Sequence, residues 1–116
     1  MQDLISALKA LSDETRLRII NVLRVRECCV CEVMQSLDIS QTRASRNLGI
    51  LREAGFLKTR REGTWMLYSL DRESGNRYAG FLAGLLEKAP LDSELLKKDR
   101  QRLGLARRAG PGCPTK

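Results

Sequence analysis

The stretch "RECCVCEVMQ", Arg26 to Gln35, holds three of the chain's four cysteines: Cys28, Cys29 and Cys31. Sulfur this concentrated points to three kinds of chemistry. It can bind a soft metal or metalloid, run thiol–disulfide chemistry, or simply fill a core with small apolar side chains. A disulfide framework fits poorly, because adjacent cysteines bridge badly and structural staples need their cysteines spread along the chain. The flanking Glu27 and Glu32 argue against plain packing. A disulfide oxidoreductase would show Cys-x-x-Cys on a βαβ unit, and neither is present. The chain has no histidine, no glycine-rich phosphate loop and no nucleophile elbow, so no enzymatic activity is expected.

Those thiols need a scaffold, and the bulk composition bounds it. At 116 residues with 42% hydrophobic content the chain suits one domain with a core that stands without staples. The opening "MQDLISALKAL" lacks the basic start and continuous apolar run of a secretory signal. No run approaches the roughly 20 apolar residues of a membrane span. A reducing, cytoplasmic location without membrane contact is therefore expected. The formal charge of +7 and pI near 9.7 are compatible with a polyanionic partner.

Periodicity places the elements. Leu4, Leu8 and Leu11 share one face of a first helix. A second helix starts at a cap, Ser12 or Asp13, and carries Leu17, Ile20 and Leu23 on one stripe, with Ile19 and Val22 beside it. "CEVMQSLD" reads as a short third helix with Val33 and Leu37 inward. "ISQTRASRNLGILREAGF" is the clearest helix: Ser40 caps it, Ala44, Leu48 and Leu51 share a face, and Gly55 stops it. The period then changes to that of a β-hairpin over "LKTRREGTWMLYSL", with Glu62-Gly63 as its turn. "SGNRYAGFLAGLLEKA" returns to helix, with Tyr78, Phe81, Leu82, Leu85 and Leu86 apolar. This organisation gives a folded domain over residues 1–90 and a basic, partly disordered tail over 91–116, where "LDSELLKKDRQRLGLARRAG" can add a frayed helix and "PGCPTK" does not fold alone.

The order predicts a mainly α fold with a small β-hairpin, a winged helix-turn-helix. In such a fold the second helix of the motif enters the major groove of double-stranded DNA. Here it offers Ser40, Gln41, Thr42, Arg43, Ser45 and Arg46, residue types that read base edges or grip phosphates. Lys58, Arg60 and Arg61 make the wing basic, suited to phosphate contact. A single small domain has a limited footprint, so a homodimer is expected. The apolar faces of the terminal helices, Leu4, Leu8, Leu11, Phe81, Leu82 and Leu85, are the candidate interface.

Taken together, "LKALSDETRLRIINVL", "ECCVCEV" and "ISQTRASRNLGILREAGFLKTRREGTWMLYSL" resemble the arsenical-resistance repressor (ArsR/SmtB) family of metal-sensing winged-helix regulators. The resemblance runs from about Ile5 to Leu86, and "ECCVCEV" is similar to the family's "ELCVCDL" thiol motif. It implies a homodimer that holds an operator when metal-free and releases it on binding inducer. It also implies that Cys29 and Cys31 are the principal ligands. The family's arsenite sensors often place a third thiol where this chain has Met34, which leaves Cys28, Cys113 or an exogenous group as the third ligand. Its zinc and nickel sensors use histidines on the last helix, which this chain lacks. Its cadmium sensors borrow cysteines from an N-terminal extension, and residues 1–27 contain none. As(III) or Sb(III) is thus the expected inducer, with no organic cofactor, and a cadmium-, lead- or redox-sensing repressor of the same fold is the alternative.

Two physical expectations accompany the thiols. Residues i and i+2 of a regular helix point about 200° apart, so Cys29 and Cys31 can share one atom only where the segment is extended or unwound. Closing the site is then expected to distort the start of the third helix and shift the recognition helices. A helix N-terminus is also expected to lower the thiol pKa.

Overall fold

The helices begin where side chains can replace their missing backbone partners. In the computed structural model, which describes residues 1–73 and 75–108, α1 (Gln2–Leu11) is followed by α2 (Glu14–Leu23), α3 (Val30–Leu37) and α4 (Gln41–Glu53). The hairpin of β1 (Leu57–Glu62) and β2 (Trp65–Leu70) comes next, then α5 (Arg77–Lys88) and α6 (Glu94–Leu105). Of the two cap candidates for α2, Asp13 does the work, its carboxylate accepting from the Arg16 N–H at 3.0 Å. Ser40 does the same for α4, accepting from the Arg43 N–H at 3.2 Å. Gly55, at φ 94°, takes the left-handed position just beyond α4 that a side chain would make costly.

Between α3 and α4 the chain turns through Asp38, itself left-handed at φ 55°, and the buried Ile39. That turn makes α3–α4 the helix-turn-helix. The hairpin is antiparallel, with Leu57 opposite Leu70 and Glu62 opposite Trp65. Its turn is Gly63-Thr64, one residue later than the sequence pattern placed it. Gly63 has φ 61° and so supplies the positive-φ first position that a two-residue hairpin of this kind requires.

One core gathers Ile19, Val22, Val33, Leu37, Leu48, Leu51 and Phe56, all buried. α2 contributes more of its circumference than its predicted stripe: Ile19 and Val22 are fully buried, whereas Leu17 is only partly covered. α1 and α5 meet the core through small residues, Ala7 and Ala10 on one and Ala79 and Ala83 on the other. Leu11, Leu82 and Leu86 pack at the core's edge, while Leu8 and Leu85 face elsewhere.

The largest departure is at the C-terminal end. The stretch expected to be a partly disordered tail from residue 91 contains α6, docked along α2 and α3. Its capping residue Ser93 accepts from the Leu96 N–H, and Leu96 and Leu103 are buried. Asp99 is fully buried and accepts from Arg18 through two nitrogens, at 2.8 and 2.9 Å, and from Arg102 at 2.8 Å. Arg18 also reaches the Leu37 carbonyl, and Arg102 the Ser36 carbonyl. These bonds close off the C-terminal carbonyls of α3. The composition looked like a solvated tail because the polar residues that anchor α6 are the charged ones. Cys113 and "PGCPTK" lie outside the described residues.

Candidate thiol site and nucleic-acid interface

The three clustered cysteines do not form one site. Cys28 lies in extended backbone, and its N–H and C=O pair with Tyr68 of β2 at 3.0 and 2.8 Å. Successive side chains of an extended segment point to opposite faces. Cys28 accordingly joins the main core, while Cys29 and Cys31 form a second small cluster with Leu67 and Trp65. Cys29 is the extended residue that caps α3, at φ −83° and ψ 172°, and Cys31 sits in the first turn of that helix. Their sulfurs are 3.0 Å apart. Two sulfurs sharing one ion with bonds of about 2.3 Å lie no more than about 4.6 Å apart, so this pair is within reach of a common atom.

The extended backbone that chelation was expected to need is present at Cys29. The further expectation of a distorted helix start is not needed to bring the sulfurs together, because α3 begins only at Val30. Among the described residues no group of three or more cysteines, aspartates and glutamates is gathered to hold a metal. Met34, at the spacing of a third ligand, is buried in the main core.

Burial governs the thiol protons. Cys29 and Cys31 are only 1% and 2% exposed. Desolvation pushes the Cys29 thiol up from 9.0 to about 12, with its contact to Cys31 adding to the rise. Cys28 is pushed up to about 12 by the same cause. The expected lowering by a helix N-terminus is thus overridden by the dry surroundings.

Neighbours that the sequence reading passed over complete the site. Glu32 is buried. One of its oxygens accepts from the Cys29 N–H at 2.9 Å and the other from Arg26 at 2.7 Å, while Arg108 approaches the first at 3.4 Å. Burial pushes this carboxyl upward, but the Cys29 amide and Arg26 more than offset it, leaving the pKa below its ordinary value. The spacing from Cys29 to Glu32 is that of a capping box, a signal present in the sequence. Arg108 also lies over the Trp65 ring at 5.9 Å and 3.7 Å from Glu62. Gln35 holds the Arg107 backbone by both its amide groups. The segment after α6 thereby packs against α3 and the wing beside the thiol pair.

Ser40, Gln41, Thr42, Arg43, Ser45 and Arg46 are all exposed along the first two turns of α4, and Ala44 and Leu48 hold the other face to the core. Arg43 is steadied by Thr15 of α2 at 2.8 Å. Asn47, passed over in the sequence, braces the helix by accepting from Arg16 at 3.0 Å. On the wing, Lys58 and Arg61 are exposed. Arg60 is exposed but engaged with Glu27 and Glu62. Of the candidate interface residues, Leu8, Phe81 and Leu85 are exposed, the last two at 74% and 57%, and Leu4, Leu11 and Leu82 are half-buried. No helix among the described residues is long and apolar enough to cross a membrane.

Comparison with known proteins meets this geometry. Residues 13–59 match the profile of the family described as "Bacterial regulatory protein, arsR family". The chain is 40% identical over 96 residues to the arsenic resistance transcriptional regulator ArsR1 of Pseudomonas putida, covering 82% of this chain and 73% of that one. It is 43% identical over 72 residues to a cadmium resistance transcriptional regulatory protein CadC homolog of Staphylococcus aureus, covering 61% and 60%. Among solved structures it superposes on the homodimeric winged helix-turn-helix DNA-binding domain of a possible ArsR-family regulator from Mycobacterium bovis. There the TM-score is 0.64 and the identity 30%, over 76% of this chain and 78% of that one. With a helix-turn-helix, a two-stranded wing and similarity of this extent, the chain belongs to the arsR family of bacterial regulatory proteins.

Proposed function

We propose that this chain is a homodimeric transcriptional repressor, not an enzyme, that holds operator DNA through α4 and the wing and releases it when As(III) or Sb(III) bonds to Cys29 and Cys31. The observation that carries the inducer assignment is the dry pair of sulfurs 3.0 Å apart, the first of them protonated at neutral pH. Arsenite near neutrality is the uncharged acid As(OH)3. Each thiol that replaces a hydroxyl releases one water, and no net proton or charge is left behind in the buried site. A divalent cation such as Cd(II) instead brings its charge into the site and must expel protons from these thiols, which makes its binding steeply pH-dependent. Similarity to both an arsenic- and a cadmium-resistance regulator makes this distinction the relevant one.

Coupling to DNA follows from position. Cys29 caps α3, the first helix of the motif, and Leu67 and Trp65 behind the sulfurs belong to the wing. A ligand at this point sits between α3 and the wing, and α3 passes any displacement to α4 through the turn at Asp38 and Ile39.

The test is fluorescence anisotropy of the reduced protein on DNA from its own upstream region, at about pH 6.5 and about pH 8. Arsenite should release the DNA with nearly the same midpoint at both values, whereas the midpoint for cadmium should move by at least about tenfold. Cys29→Ser and Cys31→Ser should each abolish release by arsenite. A complex that arsenite leaves intact, or that still responds after either substitution, would overturn the assignment. The proximity of the two sulfurs also suits a redox-sensing repressor, and release by mild peroxide but not by arsenite would select that reading.

A further inference from the structure

Trp65 is the chain's only tryptophan. It opens β2 opposite Glu62 and packs against the cluster of Cys29, Cys31 and Leu67. Its indole Nε1–H is buried and has no acceptor among the described residues. Orphaned buried donors are rare in folded proteins and call for an explanation. Here the orphan belongs to the side chain that walls the thiol pair.

Among the described residues that pair has no third protein ligand. Met34 and Cys28 are both committed to the main core, and the Glu32 oxygens already accept from the Cys29 amide, Arg26 and Arg108. When As(OH)3 meets two thiols, two S–H and two As–OH bonds break and two S–As bonds form. The two hydroxyls leave with the two thiol protons as two waters, and no atom changes oxidation state. One hydroxyl stays on the arsenic, beside a packed side chain whose buried donor is unused.

We infer that the Trp65 indole N–H donates a hydrogen bond to this remaining oxygen, so that Trp65 is the residue by which the site selects a trivalent metalloid that keeps an oxygen over one that carries a carbon group instead. The inference rests on the thiol-site reading above. Methylarsonous acid, CH3As(OH)2, makes the contrast. It loses both hydroxyls to the same two thiols and presents only a methyl group, which accepts nothing from the indole.

The test uses the reduced, full-length protein labelled with nitrogen-15, whose single indole N–H gives one cross-peak. Arsenite should move the indole proton downfield, the mark of a new hydrogen bond, and methylarsonous acid should not. Trp65→Phe keeps an aromatic ring and removes the donor. By calorimetry it should weaken arsenite about tenfold and leave methylarsonous acid within about twofold. Binding of both arsenicals with the same indole response, or equal weakening of both by the substitution, would overturn the role of Trp65 while leaving the thiol site standing. If neither arsenical binds the unaltered protein, the thiol-site reading itself falls, and this one with it.

Discussion

Three thiols within four positions look interchangeable until the backbone divides them. Cys28 pairs with Tyr68 in extended geometry and enters the main core, and Cys29, one residue on, faces the other way. The raised thiol pKa values have a consequence for stability. Between 9.0 and about 12 the unfolded chain releases the Cys28 and Cys29 protons while the folded chain keeps them. The folded state then binds more protons than the unfolded one, so unfolding free energy falls as pH rises through this window and is undiminished below it. From about pH 8 to about pH 10.5 each thiol should cost roughly 2 kcal/mol. Urea titrations of Cys28→Ala should therefore show a shallower loss than the unaltered protein over that range. An identical slope would show that Cys28 ionises freely in the fold.

At the scale of elements, α6 carries the clearest energetic statement. Its attachment to α2 and α3 turns on Asp99, which is fully buried and shared by Arg18 and Arg102. Removing one member of such a group leaves an uncompensated buried charge, costing about 3–5 kcal/mol. Asp99→Ala should lose that much in urea unfolding, whereas Glu27→Ala, which leaves the exposed Arg60 with Glu62 alone, should change stability far less. A comparable, small effect for both would mean that α6 docks through Leu96 and Leu103 alone. The hairpin shows the reverse relation between charge and role. Arg60, predicted as a phosphate contact, is held by Glu27 and Glu62, which leaves Lys58 and Arg61 the freer cations of the wing.

For the whole molecule, the question is what covers α1 and α5. Both turn alanines to the core and leave Leu8, Phe81 and Leu85 in solvent, a surface that two copies related by a two-fold axis would bury. The double substitution Phe81→Glu and Leu85→Glu should give a folded monomer by sedimentation and circular dichroism, with operator affinity reduced by at least about a hundredfold because two recognition helices no longer bind as one unit. A dimer that survives it would place the interface elsewhere.

The sequence by itself determined the element order, the helix-turn-helix with its capped α4, the hairpin and the cysteines of interest. Each of these rests on local physics: side-chain period, Asp13, Ser40 and Gly55 at helix ends, and a glycine at the turn. Tertiary structure alone decided which two of three thiols meet, because that depends on one bridge from Cys28 to a strand 40 residues away. It decided that Cys29 is protonated rather than activated, since burial beside Leu67 and Trp65 outweighs the helix end. It also made the polar C-terminal stretch a docked helix, because the charges that suggested solvation are satisfied by partners such as Arg18, 81 residues distant from Asp99. Local pattern cannot register an interaction whose other half lies so far along the chain.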